Sequence, residues 1–310
     1  MTITHRLPLD GGHAMHVEEH GNPAGLPVVV LHGGPGSGSS PVLRQNFDPA
    51  HYRIICPDQR GSGQSTPMGS IENNTLADLL ADLRHLRTHL QIDRWLVVGG
   101  SWGATLALMH ALDAPGAVAG LLLRNVFLAR QSDILDLFIG AERHDGPAWH
   151  ALWEEARRRQ CPVTVPIAEV FAHGTWAQQV ELTRRWFEWE QRLATGRAAP
   201  PLDEAMLPRL VARYRVQSHY LRHVCWLDAP SLLQRCAALP RVPTLIVHGT
   251  QDALCPPEGA RALAQVLGAP LQWAQGAGHD PTHPAIAAAM QQALRDYAAT
   301  QAFGFSAAAP

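Results

Sequence analysis

The 310-residue sequence contains no lysine; every one of its 25 basic residues is arginine. Schiff-base chemistry and a serine–lysine dyad are therefore excluded, because both need an amine that can lose its proton. Cysteine is scarce as well: Cys56, Cys161, Cys225, Cys236 and Cys255 form an odd set with no CxxC or other metal-ligand spacing. That pattern points to reduced, inert thiols rather than a disulfide framework. Neither charge is in excess, since 25 basic and 27 acidic residues leave a formal net charge of -2. So weak a field gives no reason to expect nucleic acid or an anionic membrane as a partner. No apolar run approaches the roughly 18 residues of a membrane span, and residues 1–10 lack the apolar stretch of a secretion signal. A soluble, cytoplasmic protein acting on a small neutral or zwitterionic molecule is expected, and there the sequon Asn73-Asn74-Thr75 has no role. The 17 histidines include no HExxH and no His/Asp cluster at ligand spacing, so neither a metal nor a cofactor is expected.

What the chain does have is a series of short apolar runs bounded by Gly, Pro and Asp, at residues 27–31, 52–56, 95–98, 118–123, 244–247 and 271–273. Runs of that length without alternation read as parallel strands buried on both faces. A helical pattern at 76–90 follows Thr75, with Asp78 three residues on as a variant capping box. Strands alternating with helices predict a doubly wound, mostly parallel α/β sheet. The alternation stops after Phe127 and resumes at Pro243, and the stretch between is helical in character. We therefore expect one core from residues 1–128 and 238–310, with an inserted helical cap at 129–237. Six of the nine tryptophans (Trp149, Trp153, Trp176, Trp186, Trp189, Trp226) lie in that insertion. They suit a lid with an apolar underside, or else they pack the cap helices together. The alanine-rich tail at 306–310 is expected to fray.

Between the strand at 95–98 and a helical run from Ala104 stands Gly99-Gly100-Ser101-Trp102-Gly103. A G-x-S-x-G is weak by itself, but at a strand-to-helix turn it lifts the serine hydroxyl above the sheet. Serine needs a base that is itself oriented by an acid. Asp252 follows the strand at 244–247, and His279 follows the strand at 271–273, completing the order Ser, Asp, His. An acyl-transfer site also needs donors for an oxyanion. The early loop His32-Gly33-Gly34-Pro35-Gly36 supplies unhindered amides, and Gly34 with Trp102 are the expected pair. No GK[ST] follows that loop, so a phosphate cradle is not indicated.

HGGPG at 32–36, PDQRGSGQS at 57–65, ENNT at 72–75, GGSWG at 99–103, LRNVF at 123–127 and HGTQDALCP at 248–256 together resemble the proline iminopeptidases, α/β-hydrolases of the prolyl aminopeptidase family. The resemblance implies an α/β-hydrolase fold and a serine aminopeptidase, a hydrolase that needs no cofactor. It implies that Asp58 and Arg60 brace their loop. It also implies that cap acids hold the free α-amine of a small or short-peptide substrate. Trp186-Phe187-Glu188-Trp189-Glu190 resembles the family's W-x-x-W-E, which gives that role to Glu190, beside Trp189. A second acid of the family falls on Gln217, and a pocket phenylalanine falls on Leu221, while Phe127 remains as a wall. With one charge and one ring lost, the chain is expected to release an N-terminal residue, proline or another, from short peptides or amino-acid amides through an acyl-enzyme on Ser101. An amino-acid amidase, an arylamidase, an esterase with a non-peptide substrate, or a non-catalytic ligand-binding α/β-hydrolase are the alternatives, and the oligomeric state is left open.

Overall fold

Along each central strand, successive apolar side chains turn to opposite faces, and each face finds its own cover. The computed structural model describes residues 2–141 and 147–304, so the tail at 306–310 lies outside the described residues. Its strands are β1 (Thr2–Pro8), β2 (Ala14–Gly21), β3 (Leu26–Leu31), β4 (Tyr52–Pro57), β5 (Trp95–Ser101), β6 (Val118–Val126), β7 (Thr244–Gly249) and β8 (Leu271–Ala274). They form one sheet in the order β1-β2-β4-β3-β5-β6-β7-β8. From β4 to β8 every pairing is parallel, while β1 and β2 add an antiparallel edge. All six expected strands are present. The edge pair was not foreseen: β2 reads AMHVEEHG, and its histidines and glutamates hide the inward row of Met15 and Val17. One solvated face is what an antiparallel edge permits.

The helices that precede the insertion are α1 (Pro41–Arg44), α2 (Leu76–His89) and α3 (Trp102–Asp113). α2 starts in the expected box: Thr75 Oγ1 accepts from the Asp78 amide, and the Asp78 carboxylate accepts from the Thr75 amide at 2.8 Å. Between β6 and β7 the described residues hold α4 (Gln131–Asp136), α5 (Pro147–Arg159), α6 (Thr164–His173), α7 (Trp176–Thr195), α8 (Leu207–Arg222) and α9 (Leu232–Cys236), with no strand among them. α10 (Pro257–Leu267) and α11 (Pro284–Thr300) complete the chain. Val29, Leu31, Trp95 and Val97 face α2 and α3, in an apolar cluster that runs on without a break into Trp186 and Tyr214 of the insertion. Val28, Val30, Leu96 and Val98 face α11. Sheet and insertion thus share one packed interior. Among the described residues no helix is long and apolar enough to cross a membrane.

Five of the six tryptophans of the insertion pack in or against the apolar interior. Trp149 and Trp186 pack against Phe138, and Trp186 stacks on Tyr214 at a centroid distance of 4.7 Å. Trp176 is exposed. All five cysteines are free, four of them buried.

Candidate active site

The carboxyl ends of β3, β5 and β6, with the loops after β7 and β8, open on one cavity of about 240 Å³. Its lining includes His32, Gly33, Gly34, Ser101, Arg124, Phe127, Cys255 and His279 from the sheet side. Ligands in open α/β sheets bind at this edge. A larger hollow of about 550 Å³, near residues 236–244 and 265–270, carries no histidine, serine or carboxylate and lacks acid–base chemistry.

Ser101 sits at the turn from β5 into α3 with φ 57° and ψ -127°, a conformation that a residue with a Cβ rarely adopts. The turn is possible because α3 can approach β3: a Cβ on Gly103 would come 2.1 Å from the Leu31 carbonyl oxygen. His279 Nδ1 is 2.8 Å from Asp252 Oδ2. The amides of Leu254 and Cys255 donate to Asp252 Oδ1 at 3.0 and 2.9 Å, and Asn125 Nδ2 donates to Oδ2. Burial alone raises the carboxyl pKa of Asp252, yet the adjacent imidazole and these donors outweigh it and hold the group at about 2. Asp252 is therefore an anion at neutral pH. It accepts a hydrogen bond from Nδ1–H of His279, which leaves Nε2 as the basic nitrogen of the ring.

Gly34, at φ 111°, lies in the loop after β3. A Cβ on its neighbour Gly33 would sit 3.3 Å from Ser101 Cβ, so this loop lies directly against the serine. Trp102 is the first residue of α3, and its amide has no acceptor within the helix. One side chain ties the two segments together. The Gln59 amide N–H donates to His32 Nε2 at 3.0 Å, Gln59 Nε2 donates to the His32 carbonyl at 2.9 Å, and Gln59 Oε1 accepts from Trp102 Nε1 at 2.9 Å. Asp58 and Arg60 brace the same loop. Asp58 accepts from the Ser39 and Gln64 amides at 2.6 and 2.7 Å, and Arg60 Nε donates to Asp82 at 2.7 Å.

Three residues that sequence reasoning did not assign belong to this site. Asn125, quoted only within a motif, grips both Asp252 and the Gly278 carbonyl, the latter at 3.1 Å. Cys255 lines the cavity with its thiol against Ser101, and burial pushes that thiol well up, so it stays protonated. Asp252, Cys255 and His279 offer one ligand atom each within 4.8 Å, but the carboxylate and imidazole are already bonded to each other.

The third is Arg213, on α8. Phe127, Glu190, Gln217 and Leu221 are among the residues that line the cavity, and Trp189 is not. One residue before Glu190 on α7, it is turned roughly 100° away along the helix, and its Nε1 donates to the Leu137 carbonyl at 2.6 Å. Glu190 is not free. Arg213 Nη2 and the Tyr214 hydroxyl donate to its Oε2 at 2.6 and 3.0 Å, and Gln217 Nε2 donates to its Oε1 at 3.1 Å. A signal was present in the sequence, since Arg213 stands four residues before Gln217 and so on the same helical face.

Residues 27–282 match the family model of the alpha/beta hydrolase fold. A proline iminopeptidase of Neisseria meningitidis is 37% identical over 296 residues, with 92% of each chain covered. One of Xanthomonas citri is 36% identical over 306 residues, covering 94% of this chain and 95% of its own. Among solved structures, a proline iminopeptidase-related protein of Thermus thermophilus superposes with a TM-score of 0.65 at 23% identity, covering 95% of this chain and 98% of its own. A haloalkane dehalogenase of Bradyrhizobium elkani does so with 0.63 at 22%, covering 96% and 98%; likeness at this level speaks for the fold alone.

Proposed function

We propose, given that this hydrolase belongs to the proline iminopeptidase family of α/β-hydrolases, that Ser101, His279 and Asp252 carry out a two-step hydrolysis of an acyl bond. Ser101 Oγ bonds to the substrate's carbonyl carbon as its proton passes to His279 Nε2, and Asp252 steadies the imidazolium. The Gly34 and Trp102 amides donate to the oxyanion, each worth roughly 3 kcal/mol in the transition state. When the tetrahedral adduct collapses, the bond to the leaving amine breaks and His279 returns its proton to that amine. Water then attacks the acyl-enzyme, losing a proton to His279, and the acid leaves as Ser101 is restored. The product is an N-terminal residue released from a short peptide or an amino-acid amide. In this reading residues 129–237 are the cap, and Phe127 and Leu221 are walls for the side chain of the released residue.

The observation that carries the proposal is a serine at φ 57° between strand and helix, in one cavity with a histidine whose Nδ1 is 2.8 Å from a buried, ionised Asp252. A second reading, an amidase, arylamidase or esterase with a non-peptide substrate, is favoured by one fact: Glu190 already has a cationic partner. A fluorophosphonate should label Ser101, and the adduct is mapped by mass spectrometry while a panel of aminoacyl 4-nitroanilides and amides is assayed. Retention of more than a few per cent of activity in Ser101→Ala would overturn the assignment.

A further inference from the structure

We propose that Asn125 is a positioning residue of the triad: from a bulge in β6 it holds Asp252 and the loop that carries His279 at once, so that the base cannot turn away from its acid. The inference rests on the hydrolase reading above and deepens it, naming what keeps the base in place for the step at Ser101.

β5 and β6 pair as far as Gly100 with Arg124, but Ser101 then pairs with Val126, which leaves Asn125 without a partner on β5. Such a bulge is uncommon between parallel strands, and where one occurs it re-aims a side chain. Asn125 meets it at φ 47°, a left-handed value that asparagine tolerates better than most residues with a Cβ. In a regular strand Arg124 and Asn125 would point to opposite faces of the sheet. Here both reach the loop after β8. Arg124 Nη1 donates to the His279 carbonyl at 3.3 Å, and Asn125 Nδ2 donates to the Gly278 carbonyl at 3.1 Å. Consecutive residues of β6 thus hold consecutive carbonyls of the loop.

The carboxamide of Asn125 is fully used. The Asp252 carboxylate and the Gly278 carbonyl can only accept, so the amide nitrogen faces both and each of its hydrogens is engaged. Its oxygen accepts from Arg124 Nη1 at 3.4 Å. The Leu254 and Cys255 amides hold Asp252 Oδ1, whereas Asn125 holds Oδ2, the oxygen 2.8 Å from His279 Nδ1. Among the described residues no other hydrogen bond reaches Oδ2. One nitrogen therefore fixes both the acceptor of the His279 hydrogen and the loop that bears the donor. Asn125 is buried and is not among the residues that line the cavity, so it acts through Asp252 and His279 and not on the substrate.

The test measures the rate at which a fluorophosphonate labels Ser101, with kcat and KM for alanyl 4-nitroanilide, in Asn125→Gly. Glycine adopts the left-handed backbone freely, so the bulge stays and only the carboxamide is lost. Labelling rate and kcat should each fall by about tenfold to hundredfold, the scale of one hydrogen bond to a charged group, with KM within about twofold of wild type. In an Asp252→Asn background the same substitution should cost less than about threefold, because residues that act as one unit are not additive. If Asn125→Gly does not fold, Asn125→Ser takes its place; its hydroxyl has one hydrogen and cannot serve both acceptors, so labelling and kcat should fall by about fivefold or more. Labelling within about threefold of wild type, a loss carried by KM, or the full loss repeated in the Asp252→Asn background overturns the proposal. A wild type whose Ser101 takes no label is a different failure, because it removes the hydrolase reading itself and the triad with it.

Discussion

The sheet side and the cap side of the cavity are held in place by different means. On the sheet side Ser101 ends β5, and Asp252 and His279 follow β7 and β8 within a few residues. Backbone geometry, buried amides and close glycine contacts position them. On the cap side Glu190 hangs from α7 and meets Arg213, Tyr214 and Gln217 of α8, so side chains position side chains. A substitution at the sheet edge therefore ends the proposed chemistry, whereas one on the cap wall retunes what enters.

The sharpest way to break that contrast is Asp252→Asn. With the wrong tautomer of His279 favoured, turnover should fall by about 10⁴-fold, measured under saturating substrate. The variant also loses stability, with a defined sign. The folded pKa of Asp252, about 2, lies below the ordinary value of 3.8, so its contribution is present above pH 4 and is lost as pH falls towards 2. It amounts to about 2 kcal/mol at neutral pH. If turnover falls by less than tenfold, Asp252 does not orient the base, and the sheet side is as tunable as the cap.

A second test concerns the end of β5 and α3 remote from Ser101. Trp95 Nε1 of β5 donates to His110 Nε2 of α3 at 3.1 Å, and burial lowers the pKa of that histidine from 6.5 to about 4. Between those values the unfolded chain binds a proton that the folded chain refuses. Stability is therefore intact above pH 6.5 and falls as the solution is acidified, by about 2 kcal/mol from pH 7 to pH 5. Denaturation midpoints at several pH values measure this, and His110→Gln, which keeps an acceptor for Trp95, should flatten the slope. An unchanged slope in His110→Gln would place the acid sensitivity elsewhere.

The same division explains what could be read from the chain. Each central strand is an unbroken apolar run, and the chemistry-bearing residues stand next to strand ends, so spacing along the sequence carries over into space. β1 and β2 were hidden because an edge strand with a wet face mixes polar and apolar residues. The cap gave less: a motif points to Glu190, but nothing in a motif says that a guanidinium on another helix occupies it. That contact depends on how α7 and α8 pack; the sequence shows only that Arg213 shares a helical face with Gln217, not that the face meets Glu190. Trp189 diverges from Glu190 because neighbours in sequence point apart on a helix, and its Nε1 meets the Leu137 carbonyl.

Leu221 offers the smallest and most specific test, because it is a cap-side residue whose own side chain carries no charge or hydrogen-bonding group. It is buried and lines the cavity beside Phe127 and Gln217. A phenylalanine there adds volume to a space of about 240 Å³ without altering the Glu190–Arg213 pair. Extra volume in a packed wall costs about 1 to 3 kcal/mol if it is forced in. Helices held by side-chain contacts can yield part of that, so the expected change is about threefold to tenfold, at the lower end of what one methylene contributes to discrimination. Leu221→Phe should lower kcat/KM for leucyl relative to alanyl 4-nitroanilide, with the Ser101 labelling rate unchanged. A leucyl-to-alanyl ratio within twofold of wild type would mean that Leu221 is not a wall of the first-residue site.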